Sequence, residues 1–166
     1  MKKILSFVIL VVALSSCSED VKFNNEAVFQ GVINNSFWQG ANAKAIVDTD
    51  NNVLTVQAVS LTELMKLEMP VPPTTINPRD KSTFVTYILG TSDTKTAYYI
   101  VTINGIPAEY QTAIGVGDGQ IVVTEYDGVT VSGTFRFNAN STEPDSDDVL
   151  NVQSGTFYKV PVYQTL

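Results

Sequence analysis

The chain has 166 residues and a formal charge of −7, with no His, one Cys, one Trp and only 16% charged residues. That is one domain's length, long enough to bury a core without disulfide or metal staples. Without His there is no serine or cysteine triad of the usual kind, no imidazole general base and no His-ligated zinc, so no catalytic residue, metal or cofactor is assigned.

Met1 to Cys17 opens with Lys2-Lys3, continues through an apolar run from Ile4 to Leu14, and ends in Ser15-Ser16-Cys17. These are the parts of a secretory signal, and the run is too short for a spanning helix, which needs about 20 apolar residues. Leu14-Ser15-Ser16-Cys17 resembles the bacterial lipobox, in which the Cys becomes the acylated first residue of the mature protein. The resemblance implies a signal peptide over 1–16, lipidation of Cys17 and a membrane partner reached through acyl chains. A plain signal peptide with an incidental Cys would leave an odd free thiol in an oxidising compartment. Ser18 is compatible with sorting to the outer membrane, and Glu19-Asp20 resembles a surface-export signal, although a solvated tether needs the same acids.

Removing 1–16 takes Lys2 and Lys3 away and leaves eight basic residues: Lys22, Lys44, Lys66, Arg79, Lys81, Lys95, Arg136 and Lys159. They are scattered, so no stripe could displace counterions from nucleic acid. Residues 17–26 read as an anchored tether, and 27–166 as one all-β domain. Strands are expected at 27–33, 43–48, 53–59, 83–89, 96–104, 120–126, 129–138 and 149–161, all rich in Val, Ile, Thr, Tyr and Phe. In Thr134-Phe135-Arg136-Phe137-Asn138 the Phe residues share one face, which is period two with one wet side. Phe135, Phe137, Phe157, Ile121 and Val123 are the expected core.

Asp127-Gly128 predicts a tight type I′ hairpin, and Asp48 to Asn52 joins two further strands. Ser60-Leu61-Thr62-Glu63 matches a helix capping box, yet Met65, Leu67 and Met69 alternate against Leu64, Lys66 and Glu68, which favours a strand. Ile106 to Gly115, with an early Pro and a final Gly, suits one or two helical turns. Residues 70–82, with four Pro, read as a loop, and 140–148 as an acidic one. Such spacing, without long amphipathic segments, predicts a single antiparallel β-sandwich or barrel-like meander of about 8–10 strands.

Glu143, Asp145, Asp147 and Asp148 could gather around Ca²⁺, but lack the EF-hand order, and a solvated loop needs nothing more. Asp48 and Asp50 read the same way. Glu109, Asp118, Glu125 and Asp127 are carboxylates for a hydrolase in name only, since sequence gives no distance. Gly115-Val116-Gly117-Asp118-Gly119 lacks the strand and helix that flank a phosphate loop. Trp38, beside Phe37, and Tyr98, beside Tyr99, are the candidate ligand-facing aromatics, although such residues are more often core.

Ser-Gly-Thr-Phe occurs at Ser132 to Phe135 and again at Ser154 to Phe157, which suits two neighbouring strands with Gly allowing a bulge or a close approach. These two segments, with Phe37-Trp38 ahead of Ala41-Asn42-Ala43, resemble a family of small Bacteroidota lipoproteins of unknown function. The resemblance implies an all-β domain and a lipid anchor, and carries no catalytic residue across. The expected role is a non-catalytic binding or accessory module of the cell envelope, its partner a protein or glycan. The alternatives are a lipocalin-like barrel around a small apolar ligand and a carboxylate- or Ca²⁺-dependent hydrolase.

Overall fold

The computed structural model describes residues 28–165, so the signal segment, Cys17 and the tether lie outside the described residues. Ten strands follow one another: β1 (Val28–Ile33), β2 (Ser36–Asp48), β3 (Val53–Ser60), β4 (Glu63–Pro70), β5 (Val85–Ile88), β6 (Thr96–Ile103), β7 (Ile106–Gln111), β8 (Asp118–Tyr126), β9 (Thr130–Ser141) and β10 (Val149–Gln164). A single 3₁₀ turn, Lys81–Thr83, is the only helical element among the described residues. All ten strands belong to one sheet. β2, β3, β4, β6, β7, β9 and β10 hydrogen-bond in succession, and β10 returns to β2 to close the ring. β1 wedges between β10 and β2, while β8 and β5 extend from β9.

The fold is the expected all-β, barrel-like meander with one parallel pairing: Val162–Gln164 against Ala45–Val47. At 16 residues β10 is long enough to run past β1 and continue along β2. Its register against β9 shifts between Phe157 and Val160, where Lys159 takes a positive φ and its N–H donates to Ser132 Oγ at 3.0 Å.

Three local expectations change. Residues 106–111 form β7, not helical turns, because Asn104 and Gly105 both take positive φ and fold Ile106 back opposite Ile103. Pro107 is tolerated there because β7 meets β9 only at Tyr110 and Gln111, leaving the far edge at Pro107 without a ladder partner. At Asp127-Gly128 only Gly128 has a positive φ, so the turn is not type I′. Asp127 Oδ1 instead accepts from the N–H groups of Val129 and Thr130 at 2.8 and 2.6 Å. Paired positive φ, as in a type I′ turn, falls instead at Asn104-Gly105 and at Asn34-Asn35, the latter between β1 and β2. β2 therefore starts at Ser36, well before the expected Ala43, and takes Phe37 and Trp38 into the sheet.

The strand preferred over the capping-box helix is β4, with Met65, Leu67 and Met69 fully buried. The five expected core residues are all buried and join one cluster with Phe29, Leu54, Val56 and Val131. Its centre is aromatic: Phe29 lies 5.2 Å from Phe135 and 6.2 Å from Phe157 between ring centroids. The repeated Ser-Gly-Thr-Phe has a reciprocal use here. Gly155 pairs with Phe135 and Gly133 with Phe157 across the β9–β10 ladder, so each ring lies over the other strand's glycine. A Cβ at Gly155 would meet Phe135 ring atoms at 2.2–2.6 Å, and one at Gly133 would meet Phe157 Cζ at 2.5 Å.

Candidate functional site

Period two makes each strand carry one inward row of side chains, and the inward row of β4 is Glu63, Met65, Leu67, Met69. A carboxylate thus heads a row of core residues. On β6 the matching row is Ala97, Tyr99, Val101, and on β7 it is Tyr110, Ala108, Ile106. These rows leave the core at one end of the ring, where the β1–β2, β3–β4 and β6–β7 hairpins all turn. There they line an open recess of about 280 Å³ with Ile33, Phe37, Trp38, Glu63, Tyr99, Val101, Tyr110 and Leu150 among its walls.

The floor is held by three side chains distant in sequence. Glu63 Oε2 accepts from Trp38 Nε1 at 2.6 Å, and Glu63 Oε1 accepts from the Tyr99 hydroxyl at 2.6 Å. Hydrogen bonds to an ionised acceptor are short and stronger than neutral ones. Trp38 is buried and meets Phe29 edge-on at 5.7 Å, which ties the recess to the aromatic core. Gly40 makes room for it, since a Cβ there would meet the Trp38 ring at 2.8 Å. Burial first, and then the bond to Glu63 and its charge, raise the Tyr99 hydroxyl well above the usual tyrosine range. Among the described residues the only ion pair is Lys66–Glu68 at 2.9 Å, so Glu63 has neutral donors and no cationic partner there.

Of the two expected ligand-facing aromatics, the recess takes Trp38 and not Tyr98. Tyr98 points to the outer face, where Lys66 Nζ lies 4.4 Å from its ring centroid. Its neighbour Tyr99 occupies the inward position. Sequence reading missed Glu63 and Tyr99 as site residues; the signal was present, because an acid that keeps step with Met65, Leu67 and Met69 sits at an inward position.

The remaining candidates are spent locally or dispersed. Asp48 accepts from the backbone N–H groups of Asp50 and Asn51 and so caps the β2–β3 turn. Glu143, Asp145, Asp147 and Asp148 are exposed, and among the described residues no three carboxylates are grouped to hold a metal ion. Gly117 and Gly119 let the chain pass against Asn138 and Arg136–Phe137 of β9, a packing role. A second groove of about 370 Å³ lies on the outer face of β8–β9–β10. Its polar side chains largely satisfy one another, Asn151 donating to Asn138 at 2.6 Å and Asn138 to Asp118 at 3.0 Å.

Fold and recess together define a small closed-ring β protein with a filled interior and an aromatic mouth carrying one carboxylate. The chain belongs to a family described as a domain of unknown function (DUF6252), which matches residues 25–161. No curated protein and no solved structure matches it.

Proposed function

We propose that this protein is a lipid-anchored, non-catalytic binding module of the cell envelope, held on the outer membrane through Cys17, with the recess end as its binding surface. The resemblance of its N-terminus to a lipobox signal and of its strands to small Bacteroidota lipoproteins supports the anchor. Two or more acyl chains hold a protein on a bilayer where one is marginal. The observation that carries the binding role is the contrast between a filled interior and apolar rows that run out into solvent at one end. Ile103 is 58% exposed, Ile106 68%, and Leu61 is fully exposed, while Phe37, on the outer face of β2 at the lip of the recess, is 69% exposed. Glu63 pairs with Val101, and the Thr102 N–H donates to the Thr62 carbonyl at 2.9 Å, which brings Leu61 level with Ile103. Ile103 in turn pairs with Ile106, so the three form one patch.

The patch faces away from the point where the tether joins. β1 runs from Val28 to Ile33, and Ile33 lines the recess, so the recess end lies a strand's length, about 17 Å, from Val28. An anchored domain would present it outward to a partner. Against a lipocalin-like ligand barrel stands the interior itself, occupied by Phe29, Phe135 and Phe157. Against a two-carboxylate hydrolase stands the recess, where Glu63 is the sole acid among the lining residues and both its oxygens are engaged.

Two measurements test the reading. A fatty-acid analogue should label the wild-type protein and not Cys17→Ser, whose precursor should accumulate; equal labelling of both refutes the anchor. A photo-crosslinking amino acid placed at Phe37 in cells should give one discrete adduct, absent when the same group is placed at Gln57 in the body of the sheet. Indistinguishable patterns from the two positions refute the binding end.

A further inference from the structure

We propose that the recess receives a cationic side chain, Lys or Arg, from a basic polypeptide segment whose apolar neighbours cover the exposed patch. This rests on the recess end being the binding surface and names what it binds. Three independent features converge. The recess is lined by the inward-facing Trp38, Tyr99 and Tyr110, with Phe37, on the opposite face of β2 from Trp38, at its lip. Aromatic walls attract an organic cation through the ring quadrupole, most strongly where water is partly excluded. At the floor, Glu63 is half-buried, fixed by two neutral donors and unpaired with any cation among the described residues. A fixed and uncompensated carboxylate gains most from a guest that brings the missing positive charge.

The third feature is the charge around the mouth. The segments that form this end are 34–38, 60–64, 100–110 and 141–151, and they contain no Lys or Arg. Their charged residues are Glu63, Glu109, Glu143, Asp145, Asp147 and Asp148. The 142–148 loop belongs to this end because the Thr142 N–H donates to the Glu109 carbonyl at 2.9 Å and Ser141 pairs with Tyr110. An apolar centre inside a rim of one sign selects a partner of the other sign and steers its approach. The same rim disfavours a second copy of this chain and an anionic lipid surface. Apolar area at Phe37, Leu61, Ile103 and Ile106 asks for more than a free amine, which points to a polypeptide as the source of the cation.

Trp38 is the only Trp in the chain, so its emission reports on the recess. The mature lipoprotein in a neutral detergent is titrated with three blocked tripeptides, Phe-Lys-Leu, Phe-Arg-Leu and Phe-Glu-Leu, and with lysine amide alone. The Lys and Arg peptides should give a saturable change in emission that weakens as salt rises, because the Debye length falls from about 10 Å at 0.1 M to about 3 Å at 1 M. Glu63→Gln, which keeps the shape and removes the charge, should weaken it about tenfold. A response to the Glu peptide equal to that of the Lys peptide overturns the proposal while leaving an apolar binding end intact. Absence of any response to the Lys peptide, or an undiminished one in Glu63→Gln, overturns it as well. Lysine amide binding as tightly as the peptide overturns the polypeptide source. Far-ultraviolet circular dichroism verifies that Glu63→Gln is folded; should it not be, Asp147→Asn with Asp148→Asn on the rim must still weaken the Lys peptide, and unchanged binding refutes the proposal. The crosslink at position 37 fails separately, since it does not depend on the charge of the partner.

Discussion

The middle of the ring and its recess end are built from the same inward rows of the same strands, yet one is packed solid and the other opens to solvent. In the middle, the rows of β9 and β10 meet Phe29, and every ring lies against another ring or above a glycine. At the recess end the rows of β4, β6 and β7 run on past Glu63, Val101 and Ala108 to Leu61, Ile103 and Ile106, which are exposed among the described residues. The lesson is that alternation fixes which way a side chain points, whereas the presence of an opposing layer determines whether it is buried.

The contrast breaks most severely at the aromatic centre. Phe157→Ala should cost about 3–5 kcal/mol, the range for removing a buried aromatic, with a matching fall in the urea midpoint. A loss below about 1 kcal/mol would mean that the centre is not tightly packed. Gly155→Ala is next, at about 1–3 kcal/mol by overpacking, because its Cβ has nowhere to go but the Phe135 ring. Combining it with Phe135→Leu should be less than additive in the same denaturation series.

Trp38→Phe probes the join between the two regions. It keeps most of the ring packed on Phe29 but deletes the donor to Glu63. Since the recess is open, water can reach the released carboxylate oxygen, and the expected loss is about 1 kcal/mol. Phe37→Ser at the exposed end should lie within about 0.5 kcal/mol of wild type, as surface changes do, while its effect on the crosslinked adduct is large.

Alkaline pH sets the recess against a buried tyrosine away from it, Tyr87 on β5. Burial raises the Tyr87 hydroxyl to about 12, while Tyr99 is raised by burial and by Glu63. In both cases the folded-state value exceeds the unfolded value near 10, so the folded state holds its proton more tightly. The stability this confers is fully present below pH 10 and is lost as pH rises through the folded-state value. The urea midpoint should therefore hold to about pH 9.5 and decline between 10 and 12. In tyrosinate absorbance titrations Glu63→Gln should make Tyr99 easier to ionise and leave Tyr87 unmoved; equal shifts in both would show that the effect is not local to the recess.

Much of the fold was legible because its determinants are local. Alternation placed Phe135 and Phe137 on one face, and the doubled Ser-Gly-Thr-Phe marked β9 and β10 as neighbours. Turn chemistry was legible in kind but not always in place: paired positive φ falls at Asn34-Asn35 and at Asn104-Gly105, not at Asp127-Gly128, and the turn at Asn34-Asn35 starts β2 at Ser36. The helical reading of 106–115 failed because the Pro and Gly signals there are equally suited to an edge strand, and the pairing with β6 decided the matter.

The sequence by itself determined the all-β class, the inward rows and the core phenylalanines, since period two and side-chain type need no long-range information. Only the tertiary structure decided that β10 would return to β2 and close the ring, and that Glu63 would meet Trp38 and Tyr99, 25 and 36 residues away in the chain. The reason is physical: a row of side chains carries no record of which other row it will face. That pairing is set by register and ring closure, which depend on the whole sheet forming at once.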